Sequence, residues 1–239
     1  MFKSTSTQAS ASDPNLKSKQ QAAEAVFAYL EPWIDRHTVL GIGTGSTTNC
    51  FIELLSNLKG KFQGAVASSQ ATEAQLKAKG IETLDLNTTG TLPFYIDGAD
   101  EFDPHLNLIK GGGGALTREK IVAACSDQFL CIVDQSKRVD VLGTFPLPIE
   151  VIPMARSYVG RQIVQLNGDP ALREGFLSDN GNPIIDIHHL SISTPLDWEQ
   201  RLNNIPGVVS VGLFAHRGAD KIFMSTASGV EVLERPQFT

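Results

Sequence analysis

Hydrophobic positions between residues 16 and 145 follow two spacings in turn. Apolar residues that recur every three to four positions predict helices at 16–30, 49–58, 71–79 and 116–125. Short continuous apolar runs predict strands at 38–42, 64–67, 81–86, 92–97 and 129–133. Strands that alternate with helices in this way indicate βαβ units, and therefore a parallel sheet with helices on both of its faces.

The pattern changes after Pro146-Leu147-Pro148. Beyond this segment the spacing predicts strand, helix, strand, strand, helix and strand, at 149–152, 158–166, 175–178, 184–187, 196–203 and 208–213. An Asn-Gly pair within the Asp179–Asn182 segment predicts a tight turn between the two central strands. The order βαββαβ is typical of a ferredoxin-like unit.

Two last apolar segments, 222–225 and 230–233, predict a hairpin that returns to the first part of the chain. The expected fold class is therefore α/β, with a Rossmann-like parallel-sheet domain and an inserted smaller ferredoxin-like α+β domain. We expect the first domain at 16–145 plus 215–239 and the inserted domain at 146–214. Residues 1–15 are rich in Ser and Thr and are expected to form a disordered tail.

Composition narrows the classes of function. The 239 residues are 41% hydrophobic and 19% charged, as in an enzyme-sized globular protein. A net charge of −6 argues against a general nucleic-acid binder, which needs a basic face. The three cysteines are odd in number and lie in apolar runs, which favours a reducing cytoplasm over a disulfide framework. No apolar run is long enough to span a membrane, and no secretory signal is expected at the start.

A glycine-rich loop, Gly41–Thr48, joins a predicted strand to a predicted helix. Glycine lets a backbone approach a ligand closely, and the first N–H groups of a helix attract anions. A nucleoside-triphosphate loop would need a lysine before the Ser or Thr, and none is present. A dinucleotide fold would need an acidic residue after the second strand, where this chain has Ala67-Ser68-Ser69. The loop predicts an anion site, although a turn without a ligand stays possible.

Two acidic residues, Asp97 and Asp100, follow the fourth predicted strand. The carboxyl end of that strand lies on the same sheet edge as the glycine-rich loop, where ligands of open α/β sheets bind. The spacing does not match an EF-hand loop. A magnesium site or an ordinary acidic surface turn both stay open on these residues alone.

Four successive glycines, Gly111–Gly114, separate Lys110 from the start of a predicted helix that carries Glu119. Such a run has a heavy entropic cost, which a folded domain rarely bears without a reason. Exposed backbone N–H groups that line a cavity where negative oxygen develops would supply one. A flexible linker is the alternative, although linkers seldom lie between apolar segments within a domain.

These motifs resemble those of type A ribose-5-phosphate isomerases. The resemblance rests on Gly43-Thr44-Gly45-Ser46-Thr47, Asp97-Gly98-Ala99-Asp100-Glu101, Lys110-Gly111-Gly112-Gly113 and Leu116-Thr117-Arg118-Glu119-Lys120. It continues in order through Ser136-Lys137, the 145–155 segment and the 207–214 segment, and it covers about residues 16–235. It implies an aldose–ketose isomerase that interconverts ribose 5-phosphate and ribulose 5-phosphate in the non-oxidative pentose phosphate pathway.

The resemblance also implies roles for single residues. Glu119 matches the base that moves a proton between C1 and C2, and Asp97 matches the acid/base group for ring opening, with Asp100 beside it. Lys110 and the amides of Gly111, Gly112 and Gly113 match the groups around the reacting oxygens. The implied sugar-phosphate contacts are Thr44, Gly45, Ser46, Thr47, Gly98, Ala99, Lys137 and the N-terminal Lys19.

The same resemblance implies that the enzyme uses no metal and no cofactor, and that it forms a homodimer or homotetramer in the cytoplasm. Its expected ligand is a small sugar phosphate, with no nucleic acid and no membrane as partner. Two other functions stay open on the motifs alone, a non-catalytic sugar-phosphate sensor and a sugar-phosphate deaminase or lactonase on a similar fold.

Overall fold

The structure is a computed structural model that describes residues 14–235. Its helices are α1 (Pro14–Leu30), α2 (Ser46–Leu55), α3 (Gln70–Ala78), α4 (Leu116–Ala124), α5 (Arg156–Gln165) and α6 (Pro195–Asn203). Its strands are β1 (Val39–Ile42), β2 (Gly64–Ala67), β3 (Leu92–Asp97), β4 (Glu101–Phe102), β5 (Leu108–Ile109), β6 (Ser126–Asp134), β7 (Leu147–Val151), β8 (Asp169–Leu172), β9 (Ile184–His188), β10 (Val208–Val211), β11 (Leu213–Phe214), β12 (Lys221–Thr226) and β13 (Gly229–Glu234).

The largest sheet has six strands in the order β13-β12-β6-β3-β1-β2. All its neighbouring strands are parallel except the β12–β13 pair, which confirms both the predicted parallel sheet and the returning hairpin. Apolar side chains cover both of its faces. Ile96 packs into the core on one side and its neighbour Tyr95 into the core on the other. A strand buried on both faces explains why the apolar runs in the sequence are continuous.

The chain from β7 to β10 follows the predicted order βαββαβ and forms a four-stranded antiparallel sheet. Its strands lie in the order β10-β7-β9-β8. The α/β fold class is therefore confirmed, whereas the division into two domains at 146–214 stays a prediction. A third small sheet, β11-β5-β4, lies next to the glycine run, and its strands β4 and β5 have no counterpart among the predicted elements.

Two predicted strands are wrong. The 81–86 segment forms only an isolated bridge between Thr83 and Ala65, because Asp85 caps a helical turn at Leu86–Thr88 that ends the pairing. The segment predicted as a strand at 175–178 is not a strand: it begins in a turn at Gly175, which has a left-handed φ of 68°, and residues 176–178 have no regular secondary structure. The strand of that region is β8, earlier in the chain. Apolar runs of this length do not by themselves tell a strand from a packed turn.

Several boundaries also differ from the prediction. Helix α2 begins at Ser46, not at residue 49. The strand predicted at 208–213 is divided at Gly212 into β10 and β11. A Cβ atom at Gly212 would lie 2.2 Å from the carbonyl oxygen of Lys110, so only glycine allows the chain to pass so close to the Lys110 backbone.

The predicted N-terminal tail falls mostly on residues 1–13, which lie outside the described residues. Residues 14 and 15 belong to α1. Between residues 14 and 235, no helix is both long and apolar enough to cross a membrane.

Candidate active site

A cavity of about 230 Å³ lies at the carboxyl edge of the parallel sheet. The segments that follow β1, β3 and β6 meet there with the glycine run, as expected for ligand sites of open α/β sheets. Its size suits a small metabolite better than a dinucleotide. Of the predicted site residues, the cavity is lined by Lys19, Thr44, Gly45, Ser46, Thr47, Gly98, Ala99, Asp100, Lys110, Gly111, Gly112, Gly113, Glu119 and Lys137.

One end of the cavity is formed by the start of α2. Gly45 precedes the helix with a φ of 126°, and no side chain caps the first turn. The first N–H groups of a helix have no partner inside the helix, so an uncapped start next to a cavity favours an anion. Lys19, from α1, and Lys137, which follows β6, line the same cavity and add positive charge. This end is therefore suited to a phosphate group.

The N–H and hydroxyl groups of Thr44 form hydrogen bonds within the protein. Its N–H donates to Asp97 Oδ1 over 2.9 Å, and its hydroxyl lies within 3.2 Å of the hydroxyls of Ser68, Ser69 and Thr72. The Thr72 hydroxyl in turn donates to the Gly43 carbonyl over 2.7 Å. This hydroxyl cluster fixes the shape of the glycine-rich loop. Thr44 lies in the cavity wall as predicted, but its polar groups already have partners.

Asp97 lies behind the cavity wall with an exposed fraction of 0%. Its Oδ1 accepts the N–H groups of Thr44 and Gly98 and the Thr48 hydroxyl. Its Oδ2 accepts the ammonium of Lys110 over 2.6 Å and the hydroxyl of Tyr95. Both Asp97 oxygens therefore accept hydrogen bonds from the protein, and one of them holds the Lys110 ammonium. The predicted role of Asp97 in ring opening stays a prediction, and its position is that of an anchor.

Lys110 is almost fully buried at 2% exposure, with its ammonium facing three oxygens. Its Nζ lies 2.6 Å from Asp97 Oδ2, 2.6 Å from the Gly98 carbonyl oxygen and 3.3 Å from Glu119 Oε2. Burial by itself lowers the pKa of Lys110, but the charges of Asp97 and Glu119 outweigh it and raise that pKa above its ordinary value. Lys110 is therefore a fixed cation in the cavity wall.

Glu119 is buried in the first turn of α4, with 4% exposure. Its Oε2 accepts no hydrogen bond from any residue that the structure describes. Burial raises the pKa of Glu119 to about 8, with a smaller contribution from the charge of Asp97, while Lys110 acts in the opposite direction. A buried carboxylate with a raised pKa and an unpartnered oxygen, facing a cavity, is well suited to general base catalysis.

The glycine run forms a turn closed by a 2.8 Å hydrogen bond from Gly114 N–H to the Gly111 carbonyl. Gly111 and Gly114 have left-handed φ values of 102° and 82°, which explains the choice of glycine at these two positions. The Gly112 N–H donates to Asp100 Oδ2 over 2.8 Å. Within residues 14–235, the amides of Gly111 and Gly113 have no acceptor and stay available to a ligand.

The predicted residues therefore converge on one cavity, except for Asp97. The sequence reasoning missed two side chains that donate hydrogen bonds to Asp97. One is Tyr95, and the other is Thr48, which also lines the cavity. Strand periodicity could have found Tyr95, because residues two apart on a strand share a face. Across the described chain, no three His, Cys, Asp or Glu side chains cluster closely enough to hold a metal ion.

Comparisons with known proteins converge on one family. The family model of ribose 5-phosphate isomerase A (phosphoriboisomerase A) matches residues 64–229. The crystal structure of ribose 5-phosphate isomerase A from Neisseria gonorrhoeae is 42% identical with a TM-score of 0.89, covering 93% of this chain and 98% of that one. The enzyme from Methanocaldococcus jannaschii is 35% identical with a TM-score of 0.86, covering 92% and 99%. A D-ribose-5-phosphate isomerase solved with phospho-erythronic acid is 39% identical with a TM-score of 0.85, covering 92% and 98%.

Proposed function

The chain belongs to the ribose 5-phosphate isomerase A family, and we propose that it interconverts ribose 5-phosphate and ribulose 5-phosphate through an enediolate. One observation carries the proposal. The buried Glu119 Oε2 accepts no hydrogen bond from the described residues and forms an ion pair with the Lys110 ammonium at 3.3 Å, in a cavity that the start of α2 also lines. A base beside a fixed cation is the pairing that proton transfer next to a carbonyl requires.

The phosphate of the substrate binds between the start of α2 and the two lysines, Lys19 and Lys137. This contact is remote from the reacting carbons, so its binding energy positions C1 and C2 near Glu119. The phosphate itself takes no part in the bond changes.

Ring opening precedes isomerisation, because the furanose form has no free carbonyl group. It requires removal of the proton on the C1 hydroxyl and protonation of the ring oxygen. Asp100 also lines the cavity, and its Oδ1 accepts no hydrogen bond from residues 14–235. Asp100 takes the proton from the C1 hydroxyl and delivers it to the ring oxygen, as the bond between C1 and that oxygen breaks and the C1=O group forms, while Asp97 contributes by holding Lys110 in place.

In the open chain, Glu119 removes the proton from C2, and the electron pair of that bond forms the C1=C2 double bond. Negative charge moves to O1, where Lys110 and the free amides of the glycine run stabilise it. The hydroxyl proton then passes from O2 to O1, the C2=O bond forms, and Glu119 returns its proton to C1. Atoms and electrons balance within the substrate.

Conversion of ribose 5-phosphate by the purified full-length chain tests the proposal. We expect ketose formation, and in D₂O we expect partial incorporation of deuterium at C1 of the product. Phospho-erythronic acid carries a carboxylate where the enediolate oxygens develop, so it should inhibit competitively. Binding of ribose 5-phosphate without turnover would instead favour a sensor, and turnover of amino-sugar or lactone phosphates alone would favour the other enzyme classes.

The cellular setting follows from the same proposal. An enzyme of this activity acts in the non-oxidative pentose phosphate pathway, and we place it in the cytoplasm as a homodimer or homotetramer. Fractionation and size-exclusion chromatography with light scattering test these two predictions separately from the activity.

A further inference from the structure

The Gly111–Gly112 peptide is held at both of its ends. Its N–H, which belongs to Gly112, donates to Asp100 Oδ2 over 2.8 Å on the cavity side. Its carbonyl, which belongs to Gly111, accepts Arg173 Nη1 over 3.3 Å. Because N–H and C=O point in opposite directions in a trans peptide, these two contacts fix the orientation of the peptide plane. Glycine alone would leave that orientation free.

Arg173 comes from the four-stranded sheet, directly after β8. Its Nε and Nη2 form a two-point contact with the carboxylate of Asp186 on β9, at 2.9 and 2.5 Å. The third nitrogen, Nη1, reaches the carbonyls of both Gly111 and Gly112. The guanidinium also lies 5.3 Å from the ring of Phe176. Asp186 thus orients the guanidinium so that only Nη1 faces the glycine run.

Phe176 packs against the other end of the glycine turn, at Gly114. A Cβ atom at Gly114 would lie 2.2 Å from Phe176 Cζ, so the aromatic ring packs directly on the glycine backbone. The 173–176 segment therefore contacts both ends of the glycine turn, through Arg173 at Gly111 and Gly112 and through Phe176 at Gly114.

The second carbonyl contact has a consequence for the next peptide. Arg173 Nη1 lies 3.2 Å from the Gly112 carbonyl, and the N–H on the far side of that peptide belongs to Gly113. Gly113 lines the cavity, and its N–H has no acceptor among the described residues. By holding the carbonyl, Arg173 directs the Gly113 N–H away from the second sheet.

We propose that Arg173, oriented by Asp186, is a positioning residue that aims the Gly113 amide at the oxygen on which enediolate charge develops. This inference rests on the proposed isomerase activity. Arg173 itself is not among the residues that line the cavity. Lysine could not replace it, because one ammonium cannot hold a carboxylate at two points and reach two carbonyls as well.

The test compares Arg173→Ala, Arg173→Lys and Asp186→Asn with the wild type. Loss of one oxyanion donor costs about 10²–10³-fold in kcat, so a donor that is misdirected part of the time should cost about 10–100-fold. Inhibition by phospho-erythronic acid should weaken by a similar factor. Inhibition by inorganic phosphate should stay unchanged, since the phosphate end of the cavity is separate. Guanidinium chloride at millimolar concentration should partly restore kcat in Arg173→Ala.

Arg217→Ala is the matched control. Arg217 pairs with Asp220 at 2.8 Å and donates to the carbonyls of Ala123 and Ser126, but it lies away from the cavity. It should lose stability without a change in kcat. If Arg173→Ala does not fold, Arg173→Lys and Asp186→Asn carry the test.

Two failures are distinguishable. A wild-type chain that forms no ketose overturns the proposed function. An active wild type, with Arg173 variants that keep kcat and phospho-erythronic acid inhibition and lose only Tm, overturns the positioning role alone.

Discussion

Lys110 Nζ lies 3.3 Å from Glu119 Oε2 and yet donates no hydrogen bond to it. The hydrogen bonds of this ammonium go to Asp97 and to the Gly98 carbonyl instead. Lys110 is therefore held by Asp97 and Gly98, and Glu119, which lines the cavity, keeps an oxygen that accepts no hydrogen bond from the described residues. A substrate oxygen next to Lys110 would bring its neighbouring carbon within reach of Glu119, which is the geometry that an aldose–ketose exchange needs.

Glu119→Gln should lower kcat by about 10²–10⁴-fold while KM changes little, because the amide keeps the shape of the side chain but cannot accept a proton. Steady-state kinetics with ribose 5-phosphate measures both constants. The neutral amide suits the buried position, so Tm should not fall. A variant rate near that of the wild type would remove Glu119 from the role of base.

The pH profile should show the raised pKa of Glu119. Only the carboxylate accepts the proton, so kcat/KM should fall by about tenfold per pH unit below a pKa of about 8. The folded state also favours the neutral form, so stability should decrease as pH rises from 4.5 toward 8. In Glu119→Gln, the free energy of unfolding should no longer show this decrease between pH 4.5 and 8. If kcat/KM falls only below about pH 5, the result would contradict the raised pKa of Glu119.

Gly43→Ala should remove activity and stability together. The added Cβ would lie 1.9 Å from Asp97 Cγ, so Asp97 would have to move away from Lys110. Breaking a buried ion pair costs about 3–5 kcal/mol, and Lys110 would no longer be fixed. Urea unfolding and kcat measure the two effects. Gly90→Ala is the control, because no atom lies within 4 Å of a Cβ at that position.

Lys137→Ala should act on binding and not on chemistry. Lys137 lines the cavity and is proposed to bind the substrate phosphate, so its loss should raise KM by about tenfold, which corresponds to the loss of one charge-assisted hydrogen bond, with kcat little changed. Ser46→Ala should behave in the same way. Lys79→Ala, which removes a surface pair with Glu53, serves as the control. An unchanged KM in both cavity variants would move the phosphate site elsewhere.

Activity should survive exhaustive treatment with EDTA. Both oxygens of Asp97 are occupied by protein donors, Lys110 among them, and one oxygen of Asp100 accepts the Gly112 amide, which leaves few carboxylate oxygens for magnesium. The test is the rate of ketose formation before and after dialysis against chelator, with and without added Mg²⁺. Loss of activity that added Mg²⁺ restores would support a magnesium site at Asp97 and Asp100.

The parallel sheet, most helices and the βαββαβ order could be predicted from the sequence, because buried strands and amphipathic helices leave regular spacings. The short strands β4 and β5 could not, since each has two residues and no period to detect. The predicted strand at 81–86 failed for the opposite reason. Its apolar residues pack beside β2 without continuing the sheet, and packing of that kind has the same apolar pattern as a strand.

The sequence by itself determined the candidate residues for the chemistry, because glycine runs, paired acids and a strand-to-helix glycine-rich loop are local features with local physical reasons. Only the tertiary structure decided how they are divided. Asp97 and Asp100 are three positions apart, yet one is an anchor behind the wall and the other lines the cavity. Arg173 donates to the carbonyls of Gly111 and Gly112, which lie 62 and 61 positions earlier in the chain. Burial and direction depend on what packs against a residue from distant segments, and no local pattern records those contacts.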